Sequence, residues 1–137
     1  RLQARCQATG QPVPTSKGAI IRCALESLAL KYRWVLEKLE TILGHELAPV
    51  HIVGGGTQNR LLCQLTADAT GHPVVAGPVE ATAIGNLVVQ AIALGDLGSL
   101  AQGRELIRRS FDVVTYEPAA QRAPWDAAYE QLLKQVN

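Results

Sequence analysis

The chain has 137 residues, 47% of them apolar and 18% charged, with a formal net charge of +1. That length holds one domain with a real core, and the composition is that of a globular protein rather than a disordered one. The near-zero charge offers no electrostatic footing for nucleic acid or an anionic membrane surface, and no apolar run reaches the roughly 18–20 residues of a membrane span.

Residues 1–9 read as a helix stopped by Gly10 and the Pro12 and Pro14 pair. Thr15 or Ser16 then caps a long helix running to about Leu43 and closed by Gly44. Its apolar positions Ile21, Leu25, Leu28, Tyr32, Val35, Leu39 and Ile42 advance by four and three, which predicts one continuous packing stripe. Pro49 and the run VHIV (50–53) predict a short strand of the kind buried on both faces. Three glycines follow, and Thr57 or Gln58 is expected to open a helix ending near Thr70 at Gly71. HPVVAGP (72–78) reads as a second strand, and a helix from Val79 to Leu94 follows, apolar at Ala83, Ile84, Leu87, Val88, Ala91 and Ile92. A shorter helix, Ser99 to Arg109, precedes the strand-like DVVTYEP (112–118); Pro118 and Pro124 mark a loop, and a last helix spans Trp125 to Val136. The order predicts an α/β unit with a small, partly parallel sheet.

The junction VGGGTQN (53–59) carries the chemical interest. Three glycines in a row cost conformational entropy on folding and need a compensating reason. In a strand, glycine-rich turn and helix, bare backbone and the positive end of the helix dipole both face an incoming anion. A tight turn with no ligand is the competing explanation. Two common nucleotide fingerprints fail on spacing. A G-x-G-x-x-G motif from Gly54 would need glycine where Asn59 stands, and the following strand supplies no acidic residue for a ribose. A phosphate loop ending in Gly-Lys-Ser/Thr is also absent, since Thr57, Gln58, Asn59 and Arg60 follow the glycines. The residues alone leave a nucleotide site and a packing turn both open.

Taken together, HIVGGGTQNRLLCQLTADATG (51–71) and PVVAGPVEATAIGN (73–86) resemble the second half of the ATP-binding domain in the FGGY carbohydrate kinases. The resemblance runs from about Cys6 to Tyr116. It implies an actin-like ATPase (ribonuclease H-like) α/β fold with a small mixed sheet flanked by helices. Residues 1–137 would then form the C-terminal part of the second, nucleotide-binding domain, with the first domain absent. It further implies that Gly55 and Gly56 lie against the phosphate and sugar end of ATP, that Gly54 shapes the turn, and that Asn59 lies near the adenine. An amide offers the donors and acceptor a purine edge needs. The implied reaction transfers the γ-phosphoryl group of ATP, with Mg²⁺, to a ketose sugar, L-rhamnulose. Asn86 after Gly85, where many members carry alanine, points to that branch over those acting on xylulose, fuculose, gluconate or glycerol. A non-enzymatic α/β binding module is the alternative outside the family. The base, the Mg²⁺ ligands and the sugar site would come from elsewhere in the enzyme, so no catalytic or metal-binding residue is assigned here and the chain alone is expected to be inactive.

The remaining candidates read as structural. Glu80 complements a helix start, Asp68 makes a solvent or loop contact, and His51 is a core histidine of its strand. His45, His51 and His72 lack metal-ligand spacing. Arg104, Arg108 and Arg109 form a solvated basic face, and Trp34, Trp125 and Tyr129 are packing residues. Cys6, Cys23 and Cys63 are an odd set without a secretory h-region, which favours reduced thiols in a cytoplasmic protein, although Cys6 and Cys23 flank one loop and a bridge between them is conceivable. The absence of methionine and a start within a helix suggest a piece of a larger parent, and its unpaired strand edges and apolar helix faces predict self-association.

Overall fold

A computed structural model describes residues 1–136. In chain order it contains α1 (Leu2–Ala8), α2 (Lys17–Leu43), β1 (Val50–Ile52), a 3₁₀ turn (Gly54–Gln58), α3 (Arg60–Thr70), β2 (Val74–Ala76), α4 (Ala81–Leu94), α5 (Leu100–Ser110), β3 (Val114–Tyr116) and α6 (Ala123–Val136). The sheet order is β1-β2-β3. β1 and β2 are parallel, with Val50 opposite Val74 and Ile52 opposite Ala76, and α3 makes the crossover between them. β3 adds antiparallel to β2, with Val74 opposite Tyr116. This is the small mixed sheet flanked by helices that the sequence predicts.

α3 holds the molecule together because it is apolar on two faces. Leu65 and Ala69 face α2 and α6, packing with Ala29, Leu30 and Tyr129, and Trp34 and Trp125 close over that cluster. Cys63 and Ala67 face the sheet and pack on Val74 and Ala76. Cysteine and alanine are small, so the helix axis can lie close to the strands. The α3 threonines return their hydroxyls to the helix itself: Thr66 Oγ1 donates to Leu62 O at 2.7 Å and Thr70 Oγ1 to Thr66 O at 2.8 Å. Their polarity is thereby satisfied inside the core. A charged strap joins α2 to α6. Arg33 donates to Glu37 at 2.9 Å and to Asp126 at 2.7 Å, lies over the Tyr129 ring, and the Tyr129 hydroxyl donates to Glu37 at 2.6 Å. Burial followed by the Glu37 carboxylate raises the Tyr129 hydroxyl pKa far above its usual value, so it remains a donor.

Several local expectations are corrected. The α2 stripe is not the buried face: Ile21, Leu28, Tyr32, Val35, Leu39 and Ile42 are all exposed, Ile42 at 79%. The helix instead buries Ala29 and Leu30. Alanine and charged residues with long aliphatic stems weaken the apolar signal of that face, and the heavier stripe dominates the periodicity. β1 is an edge strand, and His51 is exposed rather than part of a core. On α4 only Val88 is buried, while Leu87 is 66% exposed. α6 begins two residues earlier than predicted, taking Pro124 into its first turn, where a missing N–H costs nothing.

Candidate functional site

The glycine turn leaves β1 at Val53, whose backbone is still extended. Gly54 then takes φ 76°, a left-handed conformation that side-chain-bearing residues adopt only at a cost. Its N–H donates to Pro78 O at 3.1 Å, while Gly77 N–H donates to Ile52 O at 2.8 Å, so the turn is locked to the segment after β2. Thr57 Oγ1 donates to Gly54 O at 2.8 Å and closes the turn on itself. Gly54 is therefore explained by the fold.

Gly55 is not. A side chain there would meet no atom within 4 Å, and its φ lies outside the left-handed region. One at Gly56 would touch only the Ile52 methyl group, at 3.4 Å. Both residues are exposed. Neither packing nor backbone geometry demands glycine at position 55.

α3 starts later than the sequence suggested. The 3₁₀ turn absorbs Thr57 and Gln58, and Asn59 is the N-cap, its Oδ1 accepting the Leu62 N–H at 3.0 Å. The amide oxygen is thus committed to capping the helix. An asparagine just before an apolar run is an N-cap signal that sequence inspection can find. Beneath the turn, the fully buried Cys63 points its Sγ toward Gly56 O at 3.9 Å, and burial raises its thiol pKa. Nothing in the sequence pattern singles out that contact.

A groove of about 550 Å³ runs beside the turn. Thr57, Gln58 and Arg60 line one side, Glu80 lies at the start of α4, and Phe111 and Tyr116 provide the aromatic wall. The three residues the resemblance assigns to ATP stand together on the turn next to this groove but do not line it. Glu80 holds the N-cap position of α4 without bonding to a backbone N–H, as befits a residue that only complements the dipole. Asp68 makes the expected loop contact, accepting from Ala119 N–H at 2.9 Å and Gln64 Nε2 at 2.8 Å. Arg108 and Arg109 pair with Glu105 on exposed surface. Among the described residues no group of three His, Cys, Asp or Glu side chains could hold a metal ion. No helix among them is long and apolar enough to cross a membrane.

Comparison with known proteins places this geometry. The family model described as the FGGY family of carbohydrate kinases, C-terminal domain, matches residues 1–94, which include the whole glycine turn, β2 and α4. The chain belongs to the FGGY carbohydrate kinases. It is 52% identical over 124 residues to the rhamnulokinase of Bacteroides thetaiotaomicron, covering 90% of this chain and 25% of that protein. To the rhamnulokinase of Klebsiella pneumoniae it is 45% identical over 117 residues, covering 85% of this chain and 24% of that protein. It thus spans about a quarter of the length of these relatives. The fold is shared with Plasmodium falciparum glycerol kinase with ADP (TM-score 0.74, 23% identity, 92% of this chain and 25% of that one). It is shared as well with the xylulose kinase from Rhodospirillum rubrum (TM-score 0.71, 22% identity, 92% and 25%). These neighbours share the α/β fold described above, a small mixed sheet flanked by helices.

Proposed function

We propose that this chain is the C-terminal part of the second domain of a rhamnulokinase-type enzyme and forms one wall of its ATP pocket. The observation that carries the reading is Gly55, a glycine the fold does not need, on a turn the fold holds rigidly. Gly55 and Gly56 would lie against the phosphate and sugar end of ATP, and the Asn59 Nδ2 group would donate toward the adenine. Bound ATP supplies the γ-phosphoryl group. The residues present here bind and orient the nucleotide: the turn lets it approach the main chain, and the hydrogen bonds to Pro78 and Ile52 keep that surface from yielding. Such positioning is the protein's main contribution to phosphoryl transfer.

The acceptor in this reading is L-rhamnulose, giving the 1-phosphate, supported by 52% and 45% identity to two rhamnulokinases. The base that takes the sugar proton, the sugar site and the Mg²⁺ ligands are assigned to parts of the enzyme outside this chain. The isolated chain therefore has no kinase activity.

The test is a substrate panel on the intact enzyme, comparing kcat/KM for L-rhamnulose, xylulose, fuculose, gluconate and glycerol with ATP. Preference for L-rhamnulose is the expected result. Turnover of xylulose alone, or of glycerol alone, would overturn the sugar assignment while leaving the nucleotide wall in place. Turnover by the isolated chain would overturn the assignment of the catalytic groups elsewhere.

A further inference from the structure

α2 is apolar on two faces, and only one of them is covered. Ala29 and Leu30 pack against α3 and α6. On the other side Ile21, Leu28, Tyr32, Val35, Leu39 and Ile42 are from 38% to 79% exposed. The row runs from Ile21 to Ile42, about 30 Å of helix at 1.5 Å per residue. No charged side chain interrupts it. Arg22 pairs with Glu26, and Arg33 with Glu37, away from the row. Lys31 folds over the Trp34 ring, its Nζ 3.5 Å from the centroid, and Lys38 Nζ lies 6.0 Å from the same ring. The lysines therefore border the row without crossing it. Apolar residues scattered singly over a surface need no explanation, but a continuous row does. A helix apolar on both sides has the pattern of one buried between two layers.

A second copy of the chain is a poor occupant for this face. The row has the four-and-three spacing of a coiled-coil seam, with Lys31 and Lys38 along one edge. An antiparallel pair would set these lysines against their own copies, and a parallel pair would set them against Leu36 and Leu43. Neither orientation gains an opposite-charge pair. The relatives point to a different occupant, because the chain matches about a quarter of the length of each rhamnulokinase and of each solved kinase that shares its fold. We propose that the Ile21–Ile42 face of α2 is where the rest of the same polypeptide docks in the intact enzyme, through an uncharged, apolar layer. This rests on the reading of the chain as part of a larger kinase. α2 then becomes a buried helix between two cores, with Trp34 and its lysines at the rim. Because α2 packs on α3, and α3 starts at Arg60 directly after the glycine turn, the contact also fixes that turn relative to the parts of the enzyme outside this chain.

The experiment places single thiols on the row of the intact enzyme, Val35→Cys and Leu39→Cys. It follows their alkylation by N-ethylmaleimide with peptide mapping, in native and in urea-unfolded enzyme and over a series of enzyme concentrations. Both thiols are expected to react at least about a hundredfold more slowly in the native enzyme, at every concentration, because reaction then waits for local opening. Native rates within about tenfold of the unfolded ones overturn the proposal. So does protection that disappears on dilution, which would make a second copy the occupant. Hydroxyl-radical footprinting of Tyr32 in the wild-type enzyme gives the same reading without a substitution, so a variant that fails to fold leaves the test intact. Protection of Tyr32 is expected, and oxidation at the unfolded rate counts against docking. Kinase assays of the unlabelled enzymes separate this inference from the functional reading. A protected row in an enzyme that phosphorylates no sugar supports docking and contradicts the function alone, whereas a freely labelled row in an active kinase contradicts docking alone.

Discussion

Replacing Gly54 and Gly55 separately with alanine distinguishes a glycine the fold requires from one it does not. At Gly54 the backbone sits at φ 76° while the nearest atom to an added Cβ is Val79 O at 3.8 Å, so the cost is backbone strain without a clash. That strain is about 1–2 kcal/mol for an L-residue. At Gly55 the added methyl meets nothing within 4 Å and the backbone is not left-handed. There alanine mainly narrows the unfolded ensemble and stabilises by about 0.4–1 kcal/mol. The two variants should therefore differ by about 1.5–3 kcal/mol in unfolding free energy, Gly55→Ala at or above the wild type and Gly54→Ala below it. Urea unfolding followed by circular dichroism reads the difference as a shift in midpoint at constant slope. If Gly55→Ala destabilises as much as Gly54→Ala, glycine at 55 is a structural need and the case for a ligand there collapses.

Asn59 carries two separable roles. Asn59→Ala should cost about 1 kcal/mol of stability through the lost Leu62 cap, whereas Asn59→Asp keeps the cap and loses only the Nδ2 donor. In the intact enzyme Asn59→Asp should weaken ATP binding at nearly unchanged thermal midpoint, and an aspartate variant with wild-type affinity would remove Asn59 from the site. Leu65→Ala empties the centre of the α2–α3–α6 cluster and should destabilise by about 2–5 kcal/mol in the same urea assay. A loss below 1 kcal/mol would mean that this cluster is not the main core. Hydrogen bonding to Arg33 holds the Asp126 carboxyl below its usual range, so its contribution to stability is present above the ordinary carboxylate pKa and is lost as pH falls through the lowered one. The stability gap between wild type and Asp126→Asn should accordingly be present at neutral pH and close on acidification. A gap that stays constant down to strongly acidic pH would refute the linkage.

The order of helices and strands was legible because glycine and proline punctuate this chain unusually clearly, with Gly44 and Gly71 ending helices where the sequence places them. The buried face of α2 was not. Its contact residues are Ala29, Leu30 and the stem of Arg33, and the charged strap to Asp126 and Tyr129 joins positions more than ninety residues apart, which no local period can reveal. The exposure of His51 follows from β1 being an edge, a property of sheet order rather than of strand composition. At the turn, the motif located Gly55, Gly56 and Asn59, yet the residues alone could not separate a ligand turn from a packing turn. The structure sharpens that choice by explaining Gly54 through its φ and leaving Gly55 without an internal reason.

The most direct test of the central claim is ADP affinity of the intact enzyme carrying Gly55→Val, measured by isothermal titration beside the wild type. Valine projects into open space at this position, so the variant should fold normally while its side chain occupies the volume assigned to the nucleotide. A loss of at least tenfold in affinity, equivalent to about 1.4 kcal/mol, at an unchanged thermal midpoint is the predicted result. Wild-type affinity in the folded variant would contradict the claim that the glycine turn is where the nucleotide lies.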